Sequence, residues 1–475
     1  MKPHRYFTRF VALGAAALVT CLASTGCQKN YRMMAGDAAN NCSSGKYGQA
    51  AKLTAEASSK LKQDDIDRVA YLMEAGRCAQ LNGDLETSDK LLGDASDEVR
   101  PYLDGKAEAK VTEGVATTAL NQTVSIYRGT NLERTMLATM LAMNAMVRGD
   151  AQEARRNLIL ASEWQKLAAD LNRKEIEEQQ AEIDKAEKEA KDKQLEVPSA
   201  ADMQQNEAFS NLESLNAMGA FEDPFATYLQ GLFLTAQRDQ SDQSEADFAW
   251  RRVASYHKGD KAIESLISGD QAVLQTMERK GKLSPTTWVV LLEGLVAHRE
   301  EVKIAVVALP KMVQTASAVE KPAVACGGSS SEMVVVSDID RLVMTDFKQK
   351  LPLIIAQEVL STAIKTTGTA VAANQFGTAG LLVGAVTQSV TTAADLRGWH
   401  TLPKRILVAR VATPSNGEIL VKDGDTVVAV ARLDPDFSGV VFVDIPGKGA
   451  TASVRSAAIF GAPKPADASA PQAGN

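Results

Sequence analysis

The chain has 475 residues, 45% of them hydrophobic and 23% charged, with a formal net charge of −7. That length argues for two or more domains, and the apolar fraction excludes wholesale disorder. An acidic balance is a poor footprint for nucleic acid, which calls for a basic patch, so no nucleic acid is expected as a partner. Five cysteines and four histidines are too few and too scattered for a zinc framework, and no metal or other cofactor is expected.

Lys2, Arg5 and Arg9 form a positive n-region, and Phe10 to Leu22 is an almost unbroken apolar run. About 13 residues make a secretory h-region, short of the roughly 20 that a spanning helix needs. Ala23-Ser24-Thr25-Gly26-Cys27 follows and is similar to a bacterial lipoprotein signal, in which small residues precede a Cys that becomes diacylated. Ser24 stands where such signals usually carry Leu. Cys21, with Leu18 in that place and Thr20 before it, is a rival, and secretion without lipid is a third alternative. The resemblance implies that residues 1–26 are a signal peptide and that Cys27 is lipidated. Gln28, rather than Asp, then implies sorting to the outer membrane, facing the periplasm. Dozens of buried methylenes at about 0.8 kcal/mol each would make that anchor effectively permanent.

Cys42 and Cys78 lie 36 residues apart, close to one helical-repeat period. They form a candidate disulfide across stacked hairpins, with Cys326 left free; the alternative is a pair of small buried residues.

Residues 27–162 read as helical hairpins. Leu72, Gly76 and Ala79 precede Gly83-Asp84, with Leu92 and Ala95 after it; Leu141, Ala142 and Ala145 precede Gly149-Asp150, with Ala154, Leu158 and Ala161 after it. A degenerate copy surrounds Gly45-Lys46. Small residues let two helices approach closely, and Gly supplies the backbone freedom at the turn. The spacing resembles the tetratricopeptide repeat, a helix–turn–helix of 34 residues. An atypical helix is expected over 104–127, between copies.

Residues 163–205 read as an extended, solvated charged helix and its return, with i,i+4 pairs such as Asp184 with Lys188. Residues 206–283 read as a further hairpin. Pro224 sits in its first turn, and Tyr228, Gly231, Leu232, Phe248, Trp250 and Val253 supply its apolar face.

From residue 284 to 460 the pattern changes to β-branched runs: Trp288 to Leu292, Val302 to Val307, Met333 to Val336, Leu342 to Met344, Ile406 to Val411, Ile419 to Val421, Thr426 to Leu433 and Val440 to Ile445. Asn416-Gly417, Asp423-Gly424 and Gly447 punctuate them, predicting an antiparallel sheet or sandwich. A helical insert is expected over 352–397, and 461–475 is a polar tail expected to be disordered. The fold class is therefore α+β: a tetratricopeptide-like helical array followed by an antiparallel β-rich domain with a helical insertion.

Reaction motifs are missing. There is no phosphate-cradling Gly-Lys-Ser/Thr loop and no His-Glu-x-x-His; His257, His298 and His400 stand apart, and Gly327-Gly328-Ser329 lacks nucleophile-elbow spacing. No catalytic residue is assigned, and the chain is expected not to be an enzyme. Asp395, Arg397 and Trp399 form either an exposed knob or an internal ion pair with an aromatic anchor. Leu402-Pro403, leading straight into the next strand, favours the second.

Several phrases together are more specific: Tyr127-Arg-Gly129-Thr-Asn-Leu-Glu133-Arg134, Asp223-Pro224-Phe225, Glu293-Gly294-Leu295 and Ala394-Asp395-Leu-Arg397-Gly-Trp399-His-Thr-Leu402-Pro403. This set resembles an uncharacterised family of proteobacterial outer-membrane lipoproteins with tetratricopeptide repeats and a β-rich C-terminal part, over roughly residues 27–411. The resemblance implies a protein-binding scaffold for unidentified envelope proteins, held to the membrane by its lipid anchor, with the oligomeric state left open. The alternatives are a structural subunit of a secretion, fibre, flagellar or peptidoglycan-synthase-associated assembly and, more remotely, an envelope hydrolase.

Overall fold

The computed structural model describes residues 30–103, 125–192, 194–195, 197, 199–213, 215, 222–237, 240–278, 285–363 and 394–460. The signal segment, Cys27, residues 104–124, most of the expected insert (364–393) and the tail lie outside the described residues.

Four helix pairs form the N-terminal part. They are α1 (30–43) with α2 (Tyr47–Ser59), α3 (Arg68–Leu81) with α4 (Leu85–Leu103), α5 (Asn131–Val147) with α6 (Ala151–Asp192), and α7 (Pro224–Gln237) with α8 (Gln243–Tyr256). The Gly-Asp dipeptides make two of the turns. Gly83 and Gly149 take φ of 81° and 76°, and the next N–H, from Asp84 or Asp150, reaches back to Ala79 or Ala145. This is a Schellman stop, which needs a left-handed residue. The same Asp then caps the following helix, accepting from Thr87 N–H or Glu153 N–H. Lys46 makes no such side-chain cap, so the turn at Gly45 lacks this device.

The residues expected to pack the hairpins, the two turn glycines apart, are buried in these pairs. A Cβ on Gly76 would stand 2.6 Å from the Leu92 side chain, so α3 and α4 touch where only glycine fits. Gly231 meets Trp250 at 3.1 Å in the same manner. Neighbouring pairs are tied by buried amides: Asn144 of α5 receives Gln80 at 2.6 Å and donates to Ser88 at 2.9 Å.

Three expectations about the helices are corrected. The charged helix is the continuation of the 42-residue α6 from residue 163, and it is not solvated throughout: Ile183, Ala186 and Ala190 pack on Leu360. Phe248 is 42% exposed, because α8 turns Ala249, Trp250 and Val253 inward instead. The hairpin at 206–283 gains a third helix, α9 (Lys261–Glu278).

The C-terminal part holds two main sheets. One has the order β11-β10-β1-β7-β6, from β1 (Thr286–Glu293), β6 (Val334–Asp338), β7 (Arg405–Ala412), β10 (Ser438–Ile445) and β11 (Ser453–Phe460). The other has the order β5-β4-β8-β9, from β4 (Pro322–Cys326), β5 (Ser329–Glu332), β8 (Glu418–Asp423) and β9 (Thr426–Arg432). A separate hairpin joins β2 (His298–Ile304) to β3 (Val307–Val313). Pairing is antiparallel except at the centre of the first sheet, where β1 runs parallel to β10. The expected all-antiparallel sheet is corrected there.

Every residue of β1 and β10 is buried, since the two faces of their sheet enter different cores. Trp288, Val290, Leu292, Ile406, Val408 and Phe442 pack with the helices, while Val289, Leu291, Leu407, Val441 and Val443 pack on the second sheet. Three layers result, helices over sheet over sheet. A strand covered on both sides reads as a continuous apolar run, which is how Trp288 to Leu292 looks in the sequence. The helical and β parts, expected as separate domains, share one core.

Other expected strands shift. Val302 to Val307 is broken by a turn at Ala305, whose φ is 53°. Leu342 to Met344 is helical, inside α10 (339–363), so the insert begins before residue 352. Residues 394–397 are not helical. Gly327-Gly328 is the two-residue turn between β4 and β5, with both φ positive as that turn requires. Gly447 does not end the sheet, because β11 follows.

Gly76→Ala is expected to destabilise the protein by about 1–3 kcal/mol through overpacking against Leu92. Gly93→Ala, in α4 with nothing within 4 Å of the new Cβ, should be neutral or stabilising by up to about 1 kcal/mol. Urea unfolding of both variants checks this.

Candidate functional site

Residues 394–404 run as an irregular strap between the inner face of the helices and the β sheets, and most of it is buried. Main-chain groups of residues 398–401 are held by side chains from three helices. Tyr31 of α1 donates its hydroxyl to the Gly398 carbonyl. Glu133 of α5 accepts from Trp399 N–H at 2.7 Å, and Glu74 of α3 accepts from His400 N–H at 2.6 Å. Glu74 also receives the Thr401 hydroxyl, while Arg77 reaches the Thr401 carbonyl at 3.4 Å. Most of these contacts address the main chain.

The charges on both sides are matched. Arg397 is fully buried and forks onto Asp395 (2.9 Å to each carboxylate oxygen), meets Asp67 at 3.1 Å and the Ser125 carbonyl at 2.8 Å, and lies over the Tyr127 ring. Arg77 pairs with Asp444 of β10, which also receives Arg455 of β11. Lys404 closes the strap on Asp340 at 2.7 Å, and Glu293 binds Arg405. Glu133 serves twice: one oxygen completes the Thr130 capping box and takes the Tyr127 hydroxyl, and the other holds the strap.

These environments move the titrations. Burial pushes the Glu74 carboxyl up to about 8 although Thr401 and the His400 and Thr401 amides favour its ionised form. Burial, with His298 beside it, lowers His400 to about 3. Burial would raise Asp395, yet Arg397 holds it below the usual carboxylate range. Asp67 shares the same guanidinium and is raised, because there desolvation prevails. The Arg397 charge is therefore balanced chiefly by Asp395.

Beside the strap opens a cleft of about 740 Å³, walled by α1, the turn after β1, residues 315–320 and the loop after β10. His298 and His400, remote in sequence, meet here with ring centroids 5.4 Å apart. The expectation that each histidine stands alone is corrected for this pair. Among the described residues no three His, Cys, Asp or Glu side chains come together to hold a metal ion, and no helix is long and apolar enough to cross a membrane.

Cys42 and Cys78 do meet, both fully buried, as thiols with Sγ atoms 3.8 Å apart. The hydrogen bond shared with Cys42, together with burial, raises the Cys78 thiol well above its ordinary value. Asp395, Arg397 and Trp399 form the internal ion pair and aromatic anchor rather than an exposed knob. Sequence reasoning missed Glu74, Arg77 and Asp444. A signal was available for the first two: Glu74, Arg77 and Gln80 fall at i, i+3 and i+6, a polar stripe within a helix otherwise dominated by apolar and small residues.

No protein-family model, curated protein or solved structure matches the chain.

The Glu74 titration has a definite sign. A carboxyl raised from 4.5 to about 8 stabilises the fold fully below pH 4.5, and that contribution fades as pH rises through 8. His400 acts oppositely: held neutral, it contributes above pH 6.5 and loses that contribution as pH falls towards 3. The stability of wild type relative to Glu74→Gln should therefore decline between pH 5 and 8 by on the order of a few kcal/mol, read from urea midpoints across pH. Arg397→Met, leaving Asp395 and Asp67 buried without their countercharge, should cost about 3–5 kcal/mol in the same assay.

Proposed function

We propose that the chain is a non-catalytic, lipid-anchored scaffold of the outer membrane, facing the periplasm, whose tetratricopeptide-like helical array and β module together hold protein partners in the cell envelope. The grip of the inner helical face on residues 398–401 carries this reading. Tyr31, Glu74, Arg77 and Glu133 engage the main chain of residues 398–401, and that is the chemistry by which stacked helix pairs take an extended polypeptide. Here the gripped segment belongs to the chain itself. The helices and sheets thereby become one body, and the scaffold reading assigns partner contact to its outer surface. The anchor rests on the n-region, the apolar run and Cys27.

A structural subunit of an envelope assembly is the second reading. It is favoured by β9, which ends its sheet and exposes Val427 and Val430. A strand edge of this kind is a template for pairing with another chain.

Metabolic labelling with an alkyne fatty acid should tag the wild-type protein and the Cys21→Ser variant, and should fail on Cys27→Ser. Label retained by Cys27→Ser removes the anchor as placed. Crosslinking in intact cells followed by capture should return the same partners from wild type and from soluble Cys27→Ser, since recognition is assigned to the folded body. Light scattering of the soluble form should give a monomer; a closed oligomer transfers support to the second reading.

A further inference from the structure

A separate hollow of about 290 Å³ lies where the end of α4, the loop before α5, α6, α10, β2 and the strap meet. Five cations line it, Arg128, Arg134, Arg299, Lys350 and Arg397, against two carboxylates, Glu175 and Asp395. The whole chain carries a net charge of −7, so this excess of positive charge is local. Part of it is spent on the fold. Arg397 is matched by Asp395 and Asp67, and Lys350 pairs with Asp346 of its own helix at 3.1 Å. Arg134 donates to the Arg128 and Gly129 carbonyls at 3.0 and 2.8 Å and to Asn131 at 2.9 Å, which fixes the loop that carries Arg128.

The remainder is unmatched. Arg128 is half-buried, 4.4 Å over the Tyr102 ring, and among the described residues its guanidinium meets no carboxylate and no hydrogen-bond acceptor. Its five N–H donors are unspent. Arg134 lies over the same ring at 5.4 Å, so two guanidiniums converge on one aromatic face of this wall. Arg299 donates to the Asp395 carbonyl at 3.5 Å, and among the described residues it too has no carboxylate within ion-pair distance. Glu175 is shared between Arg134 at 3.5 Å and Lys350 at 3.6 Å. Both distances exceed the roughly 2.7–2.9 Å of a charge-assisted hydrogen bond. One loosely held carboxylate thus stands among several cations, and an entering anion would relieve their mutual repulsion.

The size and charge of the hollow select the ligand. Its volume sits at the lower edge of small-molecule sites, which run roughly 300–1,000 Å³. A carboxylate or phosphodiester brings a single negative charge, whereas a phosphate monoester brings close to two and three acceptor oxygens. Planar guanidinium forks and a lysine ammonium are the side chains that recognise such a group. We propose that this hollow binds a phosphate monoester, seated on the Arg128 guanidinium with Arg299 and Lys350 supplying the rest of the positive charge. A soluble phosphate ester and a lipid phosphate headgroup share that chemistry. The site stands independently of the scaffold reading.

The test is calorimetric titration of the soluble Cys27→Ser chain. Glycerol 3-phosphate should bind at least tenfold more tightly than dimethyl phosphate and acetate, or vesicles containing phosphatidic acid should bind at least tenfold more tightly than vesicles of equal phosphatidylglycerol content. The first result identifies a soluble ester as the ligand, and the second a lipid headgroup. Arg128→Ala should weaken the binding at least tenfold with a nearly unchanged urea midpoint, since its side chain gives the fold only a cation–π contact. Glu175→Gln should tighten it at least threefold, because that carboxylate competes for the same cations; a merely structural role for Glu175 would move affinity the other way. The proposal is overturned if neither monoester outbinds its controls, if folded Arg128→Ala binds as wild type does, or if Glu175→Gln fails to tighten binding. Partner capture by Arg128→Ala reports separately on the scaffold.

Discussion

The arrangement depends on burying a charged strap without leaving any of its charges unmatched. Arg397 enters a dry interface only because Asp395 lies two residues before it and Asp67 waits on the helical side. A lone guanidinium there would be prohibitive, and a lone carboxylate equally so. The same condition repeats along the seam, with Arg77 and Arg455 on Asp444, Lys404 on Asp340, Arg405 on Glu293 and Arg410 on Asp270. Three of these pairs, Arg397 with Asp67, Arg77 with Asp444 and Arg410 with Asp270, join the helical part to the β part. Cooperative assembly follows, because these three pairs form only when the two parts close on each other.

This seam explains why the array and the sheets are not two beads on a string. Asp270 shows the logic at small scale. From α9 it accepts the Tyr228 hydroxyl at 2.6 Å and the Trp288 indole N–H at 2.9 Å and pairs with Arg410, so one carboxylate links two helices and two strands. Asp223 does the same at the start of α7: it caps that helix through Phe225 and Ala226 N–H, and it accepts from Ser337 of β6. Both carboxyls are raised by burial. Polar groups of this kind fix relative placement, which apolar packing alone leaves degenerate.

Local rules carried far into the fold. The Gly-Asp turns were legible because their two residues act within a few positions of themselves, one ending a helix and the other starting the next. The Gly76–Leu92 contact was legible for a similar reason, since hairpin partners lie close in sequence. Reading failed where a segment's state depends on what covers it. Leu342 to Met344 has strand-like composition yet lies on α10, where Met344, Phe347 and Leu351 present a helical apolar stripe to one core and Leu342 packs into another. Ile183, Ala186 and Ala190 lie on the helix read as solvated, and Leu353, Ala356 and Leu360 of α10 bury them. The parallel β1–β10 pair joins residues about 150 positions apart, and no local pattern carries such a register.

The sequence by itself determined the helical half, its turns, the positions where only small residues fit, the turn to β structure after residue 284, and the inward anchoring of Asp395, Arg397 and Trp399. Tertiary structure alone decided that the inner face of the helices is covered by the chain's own strap, that His298 and His400 share a cleft, and that Glu74 resists ionisation. Periodicity and turn chemistry act over one or two helical turns, so they are written locally. Desolvation and charge pairing depend on which distant surfaces close over a residue, and that is settled only when the whole chain has folded.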